Sequence, residues 1–111
     1  MYQLCFYVPS SHLEQVKNAL FAAGAGRYKN YDHCAWQTLG QGQFRPLPGS
    51  RPYSGKVNYL EVTAEYKVEM ICVEDRIKDA LSALLKAHPY EEPAYSIMKI
   101  GSVSGAPLKA E

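Results

Sequence analysis

His88-Pro89-Tyr90-Glu91-Glu92-Pro93-Ala94-Tyr95-Ser96-Ile97 is the place where one periodicity gives way to another. Upstream, Ile77, Ala80, Leu81, Leu84, Leu85 and His88 recur at helical spacing, and Asp75 stands where an N-cap would. Downstream, Tyr95 to Ile100 reads as a strand. Pro89 ends the helix, because the residue before a proline avoids helical geometry. The decapeptide is therefore a rigid corner that fixes a last strand against a second helix. A histidine followed by two carboxylates also invites a catalytic reading. On an extended segment, however, the adjacent Glu91 and Glu92 point to opposite faces and make a poor acid–base pair.

Upstream of this helix and corner, Asn58 to Val73 is the longest strand pattern. Leu60, Val62, Ala64, Tyr66, Val68, Met70 and Cys72 alternate with Glu61, Thr63, Glu65, Lys67, Glu69 and Ile71. One apolar and one charged face predict a sheet covered by helices on one side. Before it lies Gly40 to Gly55, a long loop too rich in Gly and Pro for a regular element. His33 to Leu39 reads as a short strand. At the N-terminus, Tyr2, Leu4, Phe6 and Val8 alternate with Gln3, Cys5 and Tyr7 as a strand that Pro9 stops. Ser11 and Glu14 have capping-box spacing, Leu13, Val16, Leu20 and Ala23 form a helical stripe, and Gly24 is a left-handed C-cap. Gly24-Ala25-Gly26 lacks the third glycine of a dinucleotide loop, with Lys29 in its place. The order β-α-β-β-α-β predicts an α+β, ferredoxin-like two-layer sandwich with a long Gly/Pro-rich loop between the second and third strands.

The bulk numbers narrow the function classes. The 111 residues suit one domain, residues 1–111, with an ordered core over about 2–100 and a polar tail from Gly101. A formal charge of +1 gives no electrostatic case for nucleic acid or an anionic membrane. The three acidic residues on the outer face of the 58–73 strand would repel RNA phosphates, although RNA-recognition modules share this topology. No apolar run reaches the roughly 20 residues that span a bilayer. Three widely spaced cysteines, no C-x-x-C and no signal-peptide pattern in Met1 to Pro9 point to the cytoplasm. The nine tyrosines suit half-buried faces, pocket walls and interfaces.

Candidate site residues gather in two segments. In the loop, Gly40, Gly42, Phe44, Arg45, Arg51 and Tyr53 are placed to close over an anionic or planar ligand. In the corner, His88, Tyr90 and Glu91 are the further candidates, with the ligand expected near both segments and between subunits. His88 is read first as a structural histidine bonded to the turn that follows it, and second as a proton acceptor or metal ligand, with the helix dipole favouring its cationic form. A divalent transition metal on His33, Cys34 and His88, with His12 as a further donor, is the alternative cofactor reading; no cofactor is predicted otherwise. On a strand, His33 and Cys34 would face opposite sides and could not chelate together without a bulge. Neither a Ser/His/Asp arrangement nor a phosphate loop nor H-E-x-x-H is present.

Together, H-P-Y-E-E-P-A-Y at 88–95, G-A-G-R-Y-x-N-Y-D-x-C at 24–34, G-x-G-x-F-R-P at 40–46 and G-S-R-P-Y-S-G at 49–55 resemble the insert domain of the Nif-three-like, YqfO-type dinuclear-metal-centre proteins. The resemblance runs from Tyr2 to Ile100. H-P-Y-x-x-P alone is less specific, since CutA-type trimeric proteins carry something similar. The resemblance implies a PII/CutA-like fold. It also implies that the dinuclear metal belongs to flanking domains outside the matched stretch, so none of its ligands carries over to a residue here. The resulting expectation is a free-standing, non-catalytic, homo-oligomeric module that binds a small ligand or metal ion. The alternative is a protein–protein interaction domain, and a metal-assisted hydrolase comes third.

Overall fold

A computed structural model of the chain describes residues 1–101. Its regular elements are β1 (Tyr2–Pro9), α1 (Leu13–Ala22), β2 (Trp36–Phe44), β3 (Glu61–Cys72), α2 (Ile77–Ala87) and β4 (Tyr95–Lys99). The four strands form one sheet in the order β2-β3-β1-β4, with every neighbouring pair antiparallel. This is the α+β, ferredoxin-like arrangement that the element order predicts. The expected tail beyond Gly101 lies outside the described residues.

The core follows the two periodicities. Leu4, Phe6 and Val8 of β1 meet Val68, Met70 and Cys72 of β3 on one sheet face. Leu13, Val16 and Leu20 of α1, with Ala80 and Leu84 of α2, cover that face. Burying each large apolar side chain contributes about 1.5–3 kcal/mol, so this stripe-on-sheet contact is the main stabilising term. Leu85, expected in the α2 stripe, is half exposed, because it falls on the outer flank of the helix.

Both helices start differently from expectation. Short 3-10 turns, Ser10–His12 and Glu74–Arg76, precede them, so His12 and Arg76 occupy the N-cap positions without a side-chain cap. Ser11 Oγ instead meets His12 Nδ1 at 2.9 Å, and Glu14 pairs with Lys17 at 3.1 Å. The expected capping box and the Asp75 cap are therefore not formed. The C-terminal ends do follow the sequence. Gly24 has φ 104°, and the Gly24 and Ala25 amides donate to the Phe21 and Leu20 carbonyls, both at 3.0 Å, in a Schellman closure. His88 closes α2 in extended geometry, as a residue before proline should.

The second strand is displaced from the expected His33–Leu39. His33 has φ 55°, which breaks a strand, and the preceding loop is fastened by Gly26 N–H to the Ile71 carbonyl and Cys34 N–H to the Gly26 carbonyl, both at 2.8 Å. Strand β2 then continues through Gly40 and Gly42 as far as Phe44, because β3 pairs with it residue by residue from Trp36↔Glu69 to Phe44↔Glu61. The first five residues assigned to the loop thus belong to the sheet, and the connection is residues 45–60.

The helix layer is shorter than the sheet. At 1.5 Å per residue, helices of ten and eleven residues reach about 15–17 Å, while twelve β3 residues reach about 40 Å. The β2–β3 hairpin therefore projects past the helices, and the long axis of the molecule measures 52 Å. On the projecting part the expected inside–outside alternation reverses. Val62 and Ala64 are exposed, while Glu61, Thr63 and Glu65 are half-buried.

Candidate functional site

Three segments converge on the sheet face away from the helices. Phe44 ends β2 and Glu65 lies one strand over, on β3. Residues 45–54 fold across them, and the His88–Ala94 corner closes the other side. Between them is a cleft of about 490 Å3, lined among others by Tyr7, Gly42, Phe44, Arg45, Tyr53, Glu65, Tyr90, Glu91 and Glu92. A volume of this size falls in the range of small-molecule sites, roughly 300–1,000 Å3.

The loop is tied down at several points. Asn58 N–H donates to the Pro46 carbonyl at 2.6 Å, and Ser50 donates to the Leu47 carbonyl through both its amide (3.1 Å) and its hydroxyl (2.7 Å). Arg51 N–H donates to Glu91 Oε1 at 3.1 Å, which links loop to corner directly. Rings complete the wall: Tyr90 sits 6.2 Å from Phe44 and 5.9 Å from Tyr53, both tilted, and His12 meets Tyr53 edge-on at 5.8 Å.

Tyr90 is the most perturbed group. Burial, and then its hydrogen bond to the Glu65 carboxylate, push its phenol well above the ordinary range, so it remains a donor. Gly42 makes room for this contact, because a Cβ there would overlap the Glu65 carboxylate. His88 supports Tyr90 from behind. A backbone carbonyl can only accept, so the 2.6 Å contact between His88 Nε2 and the Tyr7 carbonyl puts the ring proton on Nε2. Nδ1 then accepts the Tyr90 amide at 3.1 Å. Burial lowers the His88 pKa, which opposes the cationic form that the helix dipole suggested.

Of the nine residues predicted to bind ligand, Gly42, Phe44, Arg45, Tyr53, Tyr90 and Glu91 line the cleft. Gly40 lies in an adjoining depression that shares Tyr7, Gly42 and Glu65. Arg51 reaches the site through its backbone, and His88 stands behind Tyr90. Glu91 and Glu92 both line the cleft, contrary to the opposite-face expectation. The corner is a series of bends, so the two-residue alternation of a strand does not apply. Tyr7 and Glu65 were missed, since only the strand register brings them under the loop.

The metal candidates do not come together. His33 packs on the Phe21 ring at 4.6 Å and meets Asp32 at 3.2 Å, Cys34 Sγ points to the Asp32 carbonyl, and both ring nitrogens of His88 are engaged. Among the described residues, no three His, Cys, Asp or Glu side chains form a metal cluster, so the residues present do not fit a dinuclear centre. No helix among the described residues is long and apolar enough to cross a membrane.

No family model matches the chain. Among curated relatives, the GTP cyclohydrolase 1 type 2 homolog of Halalkalibacterium halodurans is 40% identical over 92% of this chain and 27% of its own length. The protein of that name from Bacillus subtilis is 42% identical over 88% and 26%. The chain thus spans about a quarter of the curated relatives it matches. Among solved structures, the Bacillus cereus protein related to NIF3 superposes with a TM-score of 0.78 at 34% identity, over 91% of this chain and 26% of that one. The periplasmic divalent cation tolerance protein CutA from Archaeoglobus fulgidus gives 0.66 at 13% identity over 95% and 89%, a likeness of fold alone. The motif-based resemblance therefore holds: the chain is related in sequence to a quarter-length segment of the NIF3-type GTP cyclohydrolase 1 type 2 homologs, and it has the CutA-like fold.

Proposed function

We propose that this chain is a non-catalytic, homo-oligomeric regulatory module that binds a small organic ligand. The observation that carries this reading is the aromatic cleft, assembled from three separate segments, with its loop and corner walls joined by the Arg51–Glu91 bond. Two features favour binding over turnover. The histidine beside the cleft has both ring nitrogens committed to backbone groups, and the cleft tyrosine holds its proton firmly. The free thiols of Cys5, Cys34 and Cys72 fit a cytoplasmic setting. The test is a fragment titration of the purified chain followed by amide NMR. Shifts centred on Phe44, Tyr53 and Tyr90 are expected, and a fragment set that leaves all three unmoved sinks the proposal. Incubation with GTP is expected to leave the nucleotide intact; product formation abolished by Glu65→Gln would overturn the non-catalytic half.

A second reading is a protein–protein interaction domain. It is favoured by strand β2 and the start of β3, where Trp36, Leu39, Leu60 and Val62 lie open to solvent. Retention of a cellular partner by the wild-type chain, lost on Trp36→Ser and Leu39→Ser substitution, would support it over the ligand reading.

A further inference from the structure

The two arginines of the 40–55 loop suggest an anionic ligand, but the folded site has the opposite charge balance. Arg51 touches the site through its amide, and the lining carries Glu65, Glu91 and Glu92 against the single guanidinium of Arg45. This excess is local, because the whole chain has a formal charge of +1. The rings point the same way. Tyr90 lies between Phe44 and Tyr53 at interplanar angles of 55° and 44°, so the three do not stack flat on one another. Aromatic faces carry negative quadrupole potential, which attracts ammonium and guanidinium groups. The Tyr90 phenol donates to Glu65, which makes its ring more electron-rich.

Resting on the small-ligand reading of this cleft, we infer that its ligand is an organic cation: an ammonium or guanidinium group on an apolar body, held between the Phe44–Tyr90–Tyr53 rings and the three carboxylates. The cation replaces its lost hydration with π faces and carboxylate oxygens, and the apolar body fills the remainder of the 490 Å3. Arg45, at the same cleft, disfavours purely cationic ligands at its own end and so sets which way round the molecule enters.

The test uses three probes with one ring and different charge: benzyltrimethylammonium, benzyl alcohol and benzoate. Each is titrated into the full 111-residue chain at low salt and followed by amide NMR. The cation is expected to bind about ten-fold or more tightly than benzoate, a preference of the size that cation–π and charge pairing produce. Its shifts should centre on Phe44, Tyr53 and Tyr90. Tyr53→Leu and Glu92→Gln change exposed side chains, and each should weaken the cation about five-fold. Benzoate binding as tightly as the cation at these residues overturns the inference while leaving a ligand cleft in place. Cation binding unchanged in both variants also overturns it. If no probe moves the cleft residues, both the inference and the ligand-site reading fall.

Discussion

His88 shows how a residue suited to catalysis can be held as a structural part. Its Nε2–H donates to the Tyr7 carbonyl and its Nδ1 accepts the Tyr90 amide, so a second proton would have to displace an N–H donor. Burial lowers its pKa, His12 adds to that effect, and Glu65 and the Tyr7 carbonyl oppose it. The native state thus resists a proton that the unfolded chain accepts near pH 6.5. Stability is full above that value and falls as pH drops from it toward the lower folded value. Urea midpoints should therefore decline between pH 7.5 and 5, and His88→Gln, which retains a donor for Tyr7, should flatten the decline. An equal slope in the variant would assign the effect to another group. The glycines differ just as sharply from one another. Gly26 has φ 73°, and a Cβ there would lie 2.7 Å from the Phe21 ring and 2.9 Å from the Cys34 carbonyl oxygen. Gly26→Ala should cost about 2–4 kcal/mol in urea unfolding, combining left-handed strain with the clash. Gly40→Ala meets open space on an edge strand and should stay within about 1 kcal/mol of the parent. Much of the cleft was legible in the sequence, because Phe44, Arg45, Tyr53 and Tyr90 lie in segments whose Gly and Pro content marks them as loop and corner. Glu65 and Tyr7 were not, because which strand neighbours the loop is a property of the register.

At the level of elements, periodicity was a good guide wherever burial enforces it. In α2, Leu84 is fully buried and Leu85 is half exposed, although the sequence stripe includes both. Leu84→Ala should cost about 2–5 kcal/mol and Leu85→Ala under about 0.5, read from thermal or urea unfolding. Similar losses at both sites would mean that the helix packs on a different face. Helix starts were less legible than helix stops. A glycine in the left-handed region and a proline after His88 act through the backbone itself, so Gly24 and Pro89 announce themselves. Ser11 and Asp75 are capping residues by type only, and a 3-10 turn at either site shifts the first helical residue past them. Strand β2 was misplaced for a related reason. Gly40 and Gly42 argue against a strand on propensity, yet nine consecutive pairings with β3 outweigh that preference. Gly42 in particular sits where the Glu65 carboxylate crosses the strand and leaves no room for a Cβ.

At the scale of the molecule, the mismatch between a 12-residue strand and two short helices leaves a surface that asks for cover. The radius of gyration is 16.0 Å, against about 13 Å for a compact chain of this length. Leu39 and Val62, 59% and 45% exposed, lie on the helix side of the sheet, and Trp36, 70% exposed, lies on the opposite side. Strand β2 is also an edge, with one row of backbone groups outside the sheet. An isolated domain protects such an edge with charges, prolines or a bulge. Here the sequence W-Q-T-L-G-Q-G-Q-F places no charge in the strand at all. The proposed homo-oligomer, assembled through the β2–β3 hairpin, would cover both the apolar surface and the edge. Light scattering coupled to gel filtration should therefore give a mass at least twice the 12.4 kDa of one chain. Leu39→Glu together with Val62→Glu should convert the assembly to monomer with an unchanged far-ultraviolet spectrum, because neither side chain enters the core. A monomeric parent at high concentration would exclude the assembly, and a double variant that still associates would place the interface elsewhere, with the edge of β4 the next surface to test.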